Sequence, residues 1–316
     1  MWHTQPYGTL CRMTDTDRIV VVTGGTSGLG LRLADTLTQQ GLTVVLTGRS
    51  AASADAAASR VGAQGAALDL GSLASVTRFA TQVAELTDGR PLHALVCNAG
   101  RQVTERSATT DGFETTFGVN HIGHVALIEE LLHRTGPPHR LVMVVSGVHD
   151  PAQRTGMPDP LERASASDLA HPRPRTPQDE PEPVEGQRRY ATAKLANVRT
   201  AFELSRRLAD STVVTAFDPG LMPGTGLVRD RGPVQRAIWA TLFRALLVVP
   251  GVQTPRQSAR QLAHLVTDDP SPVATGTYVE RGRAGQASSA ARDTTAQHTL
   301  YDDTLALIAR AQRPAA

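Results

Sequence analysis

Short β-branched runs alternate with stretches of helical periodicity along most of the chain. Ile19-Val20-Val21-Val22 has no polar position, the pattern of a strand covered on both faces. Behind it Leu29, Leu33 and Leu37 recur every fourth residue and predict an amphipathic helix that Gly41 ends. The couplet then repeats: a strand over 43–47, a short strand over 66–68, a helix over 72–86, a strand over 92–96, a long helix over about 111–133 and a strand over 140–145. Further on, the pattern predicts a helix over 188–208, a strand over 212–217, a helix over 255–266, a last strand over 276–279 and a terminal helix over 293–311. Strands and helices alternating at this pitch build parallel βαβ units. The expected fold class is therefore α/β, one doubly wound parallel sheet of about seven strands with helices on both faces.

The rhythm fails over 150–187, where eight of the chain's 20 prolines fall. Proline removes an amide donor and fixes φ, so neither a helix nor a central strand is expected to run through that segment. It reads as a long insertion loop with a short helix near 161–164, either a lid over a site or a flap without fixed structure. The rest divides into an N-terminal tail over 1–17 and a single domain over 18–311.

Composition removes several function classes. A formal charge of +2 leaves no electrostatic footprint for nucleic acid. Two cysteines, Cys11 and Cys97, cannot build a disulfide framework, and their spacing suits no metal, so a reducing, cytoplasmic setting is expected. Residues 1–17 are polar and lack the apolar run of a signal peptide. The most apolar later stretch, 237–250, is too short to span a bilayer and is interrupted by Arg244. A shallow contact with a membrane surface is the membrane role left open to it. Both a monomer and a homo-oligomer fit the sequence.

Chemistry enters at the first strand-to-helix turn, Thr23-Gly24-Gly25-Thr26-Ser27-Gly28-Leu29-Gly30. Glycines there let the chain turn tightly and let a pyrophosphate approach the free N–H groups and positive end of the helix. The spacing is not the common GxGxxG, and a merely tight turn is the rival reading; the flanking strand and helix favour a dinucleotide. At the end of the second strand stands Thr47-Gly48-Arg49-Ser50, without the carboxylate that would bind the 2′-hydroxyl of NAD. Arg49 can instead grip the 2′-phosphate of NADP, so NADP(H) is expected in preference to NAD(H), unless Arg49 is only a solvated surface arginine. Asp69, after the third strand, either meets adenine or caps the next helix. Tyr190 and Lys194 lie one helical turn apart on one face. Nearby positive charge favours phenolate, which would make Tyr190 an acid/base able to exchange a proton with a carbonyl oxygen or alcohol.

The ordered set of the glycine turn, Asp69-Leu70, Asn98-Ala99-Gly100, Asn120, Ser146, Tyr190 with Lys194, and Pro219-Gly220 resembles the short-chain dehydrogenase/reductase family from about Arg18 to Ile308. The resemblance implies a Rossmann domain with a small helical substrate lobe over about 223–254. It also implies a catalytic tetrad. Ser146 would polarise the substrate oxygen, Tyr190 would be the acid/base, Lys194 would hold the nicotinamide ribose and depress the tyrosine pKa, and Asn120 would kink its helix and hold a relay water. The bland rivals are a turn-capping Ser146 and a packed Asn120, and His121 and His124 are expected to be packing residues. Thr23, Gly24, Thr26, Ser27, Gly28, Leu29, Gly30, Leu70, Asn98, Ala99, Gly100, Pro219, Gly220 and Thr225 complete the implied cofactor site. In motif style the chain is similar to the retinol dehydrogenase and protochlorophyllide reductase branches. Protochlorophyllide reductases carry a catalytic cysteine between serine and tyrosine, whereas 147–189 has none. Carbonyl/alcohol chemistry is thus expected over C=C reduction, on a small lipophilic substrate suited to the apolar lobe. A non-catalytic NADP-binding sensor is the alternative from another class.

Overall fold

The computed structural model describes residues 18–172, 181–222 and 253–313. The expected tail over 1–17, part of the insertion, the apolar stretch 237–250 and nearly all of the expected lobe, with Thr225, lie outside the described residues.

One eight-stranded sheet organises the chain, in the order β3-β2-β1-β4-β5-β6-β7-β8. The strands are β1 (Ile19–Val22), β2 (Thr43–Gly48), β3 (Gln64–Ala67), β4 (Ala94–Cys97), β5 (Arg140–Val144), β6 (Val213–Asp218), β7 (Thr277–Glu280) and β8 (Arg283–Gly285). All pair in parallel except β7 with β8. Every side chain of β1 is buried, as its unbroken apolar run requires of a central strand between two helix layers. On one face pack α1 (Gly28–Gln39), α2 (Ala51–Ala58) and α8 (Pro255–Thr267). On the other pack α3 (Leu73–Thr87), α5 (Gly123–Thr135), α7 (Glu182–Arg207), the short α9 (Ser289–Arg292) and α10 (Thr294–Ala311). Strand order reverses between β1 and β4, and a crevice opens there beyond the carboxyl ends of the strands.

Several boundaries differ from the periodicity. Helix α2 had no expected counterpart, because its buried face is made of Ala54, Ala57 and Ala58 rather than large apolar residues. The short edge strand β8 is exposed throughout and carries no hydrophobic signal. The long helix expected from about 111 begins as a turn at Thr115–Phe117 (α4), passes through a π-helical segment at Gly118–Ile122 and continues as α5. Inside the insertion the short helix is α6 (Ala166–Ala170), not 161–164. Helix α7 starts at Glu182, six residues before the expected point, since Pro181 is its N-cap and Pro183 lies in its first turn. Proline is tolerated there because first-turn amides have no intrahelical partner. Among the described residues no helix is long and apolar enough to cross a membrane.

Candidate active site

The glycine turn is held from beneath. Thr23 is fully buried, and its Oγ1 accepts the backbone N–H groups of Asn98 and Ala99, both at 2.9 Å. Asn98 Nδ2 donates back to Thr23 O at 2.8 Å, so the ends of β1 and β4 are clamped together under the turn. Gly24 takes a positive φ of 65°, and a Cβ on it would lie 2.8 Å from Ala99 Cα. A Cβ on Gly30 would lie 2.6 Å from both Asn98 Nδ2 and Gly24 O. The glycines are thus needed for the close approach of helix, turn and neighbouring strand. Ser27 caps α1 without a side-chain hydrogen bond, so the first-turn amides are left for a ligand.

These elements line a cleft of about 1220 Å³. Gly24, Thr26, Ser27, Gly28 and Leu29 form one wall, with Arg49 at the end of β2 and Asp69 and Leu70 after β3. Asn98, Ala99 and Gly100 follow β4, Ser146 follows β5, Tyr190 and Lys194 project from α7, and Pro219 and Gly220 follow β6. Thr23, Gly30 and Asn120 stand behind the lining rather than in it. A long cleft with glycine-permitted backbone at one end and exposed Arg49 beside it fits an extended anionic dinucleotide. Gly30→Ala is expected to weaken dinucleotide binding by roughly tenfold or more, since the helix must move off the turn. Fluorescence titration checks this, and parent-like affinity in a folded variant would contradict it.

At the other end Lys194 Nζ donates to Val144 O at 2.9 Å, tying α7 to β5, and lies 5.6 Å from the centroid of the Tyr190 ring. Both side chains are buried. Burial lowers the lysine to about 8, against the pull of Asp218. The expected depression of the tyrosine pKa is corrected for the protein alone. Burial pushes the Tyr190 phenol up, Asp218 adds to this, and the phenol is the form the cleft holds. Ser146 has extended backbone and makes no side-chain cap bond, so the turn-capping reading of that residue falls.

Asn120 sits in the π-helical segment, where its amide bridges the Arg101 backbone: Oδ1 accepts Arg101 N and Nδ2 donates to Arg101 O, each at 2.8 Å. Its carbonyl accepts Asn197 Nδ2 at 3.0 Å and lies 3.0 Å from His124 Nδ1. His124 Nε2 lies 3.0 Å from Thr23 Oγ1, joining the π segment to the glycine turn. His121 is buried between Asn197 and Thr304. Burial lowers both histidines to about 4, so they pack as neutral rings. Asp69 does not cap α3, a role Ser72 fills; its Oδ1 accepts Gly71 N at 2.9 Å. Sequence reasoning passed over Asp218, a buried cleft residue directly before Pro219-Gly220. An acidic residue closing an apolar strand was the signal available.

Known proteins resemble this chain in sequence and in fold. Residues 18–150 match the family model described as short chain dehydrogenase. Protochlorophyllide reductase A of Oryza sativa subsp. japonica is 32% identical over 280 residues, covering 82% of this chain and 71% of that protein. The WW domain-containing oxidoreductase of Homo sapiens is 33% identical over 255 residues, 77% of this chain but only 56% of that longer relative. The crystal structure of an uncharacterised protein from Mycobacterium paratuberculosis superposes with a TM-score of 0.66 at 28% identity, covering 92% of this chain and 93% of that one.

Proposed function

The chain belongs to the short-chain dehydrogenase/reductase family and is an NAD(P)-dependent oxidoreductase, and from that premise we propose that it interconverts a carbonyl and an alcohol on a small lipophilic substrate using NADP(H). The observation that carries this reading is the convergence of Ser146, Tyr190 and Lys194 on the cleft that the glycine turn opens. The nicotinamide, when bound, supplies or accepts the hydride. Ser146 Oγ polarises the substrate oxygen and orients it. Tyr190, held as a phenol by burial, gives its proton to that oxygen in the reductive direction. Lys194, fixed through Val144 O, would hold the ribose side of a bound dinucleotide and keeps positive charge near the phenolate that forms. Asn120, through its carbonyl and the π segment, positions the helix behind them.

Arg49 supports the cofactor choice. It is exposed on the cleft and makes no ion pair among the described residues. Arg49→Asp is expected to shift the ratio of NADPH to NADH efficiency toward NADH by roughly ten- to a hundredfold, the size of one or two charge-assisted hydrogen bonds. Steady-state kinetics with both cofactors measure the ratio, and an unchanged value would remove Arg49 from the site. Met157, Leu221 and Met222 line the outer cleft, and Leu221 is 61% exposed there, which supports a lipophilic substrate. The reaction class is tested by supplying NADPH with hydrophobic ketones and with an enone, then identifying the bond reduced. Alcohol products support the carbonyl reading, whereas a saturated ketone from the enone would replace it.

A further inference from the structure

Asp218 ends β6, lines the cleft and is 2% exposed. Main-chain pairing fixes its place. Val144 aligns with Phe217 across β5 and β6, and Val145 N donates to Phe217 O at 2.8 Å, so Asp218 follows level with the Ser146 turn. A Cβ on Gly147 would lie 3.2 Å from Asp218 Oδ2. The side chain is held but not neutralised. Tyr278 Oη donates to Oδ2 at 2.9 Å and Gly220 N donates to Oδ1 at 2.8 Å. Both oxygens accept, an arrangement that suits a carboxylate. Among the described residues no cation forms an ion pair with it. The nearby Arg281 guanidinium is taken by Glu280 at 2.6 Å. His149, which packs on the Tyr278 ring at 5.4 Å, accepts Ser288 N through Nε2 and contacts Ser146 O through Nδ1, a neutral-ring arrangement. The charge is felt on the catalytic helix, where Asp218 opposes ionisation of Tyr190 and favours the charged form of Lys194.

We propose that Asp218 is the fixed anion at the nicotinamide end of the cleft, making the enzyme hold the oxidised dinucleotide more tightly, relative to the reduced one, than a neutral residue would. The inference rests on the NADP(H) reading above. The two redox forms share their phosphates, riboses and adenine and differ by one positive charge on the nicotinamide ring. A buried carboxylate discriminates between them because little water screens it, and its two donors keep it from swinging away.

Dissociation constants of NADP+ and NADPH for the full chain test this by isothermal titration, beside Asp218→Asn, Asp218→Glu and Tyr278→Phe. Asp218→Asn is expected to raise the ratio of the NADP+ constant to the NADPH constant about tenfold, as loss of a unit charge in a poorly screened site predicts. Asp218→Glu keeps the parent ratio. Tyr278→Phe removes one of the two donors but leaves the carboxylate and its Gly220 N donor, so it moves the ratio in the same direction by no more than about twofold, well short of Asp218→Asn. An unchanged ratio in folded Asp218→Asn, or an equal shift in Tyr278→Phe, would overturn the proposal. A parent protein that binds neither dinucleotide would instead sink the cofactor reading on which it stands.

Discussion

Tyr190→Phe is expected to lower kcat for ketone reduction by roughly 10²- to 10⁴-fold, the range that a positioned proton donor contributes. The substitution removes one oxygen from a side chain that is 8% exposed and leaves the ring in place, so the cleft keeps its shape. NADPH affinity should therefore stay within about threefold of the parent, since the glycine turn and Lys194 hold their positions. The loss should fall on kcat and kcat/KM together, the signature of a contact made in the transition state. Steady-state NADPH oxidation with hydrophobic ketones, paired with fluorescence titration of the cofactor, separates the two effects. Equal, very low rates in parent and variant, with intact binding, would support a cofactor-binding module without catalysis. Retained high activity would move the proton donor elsewhere.

The parts legible in the sequence were those whose chemistry is local. The glycine turn reads directly, because Gly24 must take a positive φ and Gly30 must admit Asn98, and no other residue type does both without strain. Tyr190 and Lys194 read from spacing, since four residues on a helix set two side chains on one face. The strands read where apolar runs are long, as in β1 and β5. What escaped depends on tertiary surroundings. Helix α2 buries only alanines, whose small side chains give no periodic signal. At Gly118–Ile122 the resemblance implies a kink at Asn120, but its π-helical form depends on the fold, where the mate of the Asn120 amide is a backbone nineteen residues away. For Tyr190 the pairing with Lys194 is visible in the sequence, whereas burial of the phenol and the approach of Asp218, which push its pKa up in the protein alone, exist only in the fold.

A second large effect comes from the buried ion cluster on α7, the helix that carries Tyr190 and Lys194. Glu185 is fully buried and Arg189, one turn along α7, is 4% exposed; Arg189 Nη1 lies 3.2 Å from Glu185 Oε1, and its Nε lies 3.5 Å from Glu114 Oε1. Glu114 accepts Thr116 N at 2.9 Å and Phe117 N at 2.7 Å, anchoring the start of α4, while burial pushes its carboxyl pKa up. Glu185 also accepts two hydrogen bonds from Arg106, at 3.0 and 2.9 Å. Gly186 lets α7 come so close that a Cβ there would lie 2.4 Å from Val103 O. The cluster therefore fastens the segment after β4 to the residue next to Tyr190. Glu185→Ala strips Arg189 of its better-placed partner and should destabilise the fold by roughly 3–5 kcal/mol, the cost of a buried charge left largely uncompensated. That corresponds to a fall in Tm of about 5–8 °C for a domain of this size. Arg106→Ala removes a partner that is 49% exposed and leaves Glu185 paired with Arg189, so it should lower Tm by clearly less than Glu185→Ala. Thermal unfolding followed by circular dichroism compares the two. If Glu185→Ala melts with the parent, Arg189 is satisfied without Glu185, and the cluster does not brace the helix that carries Tyr190.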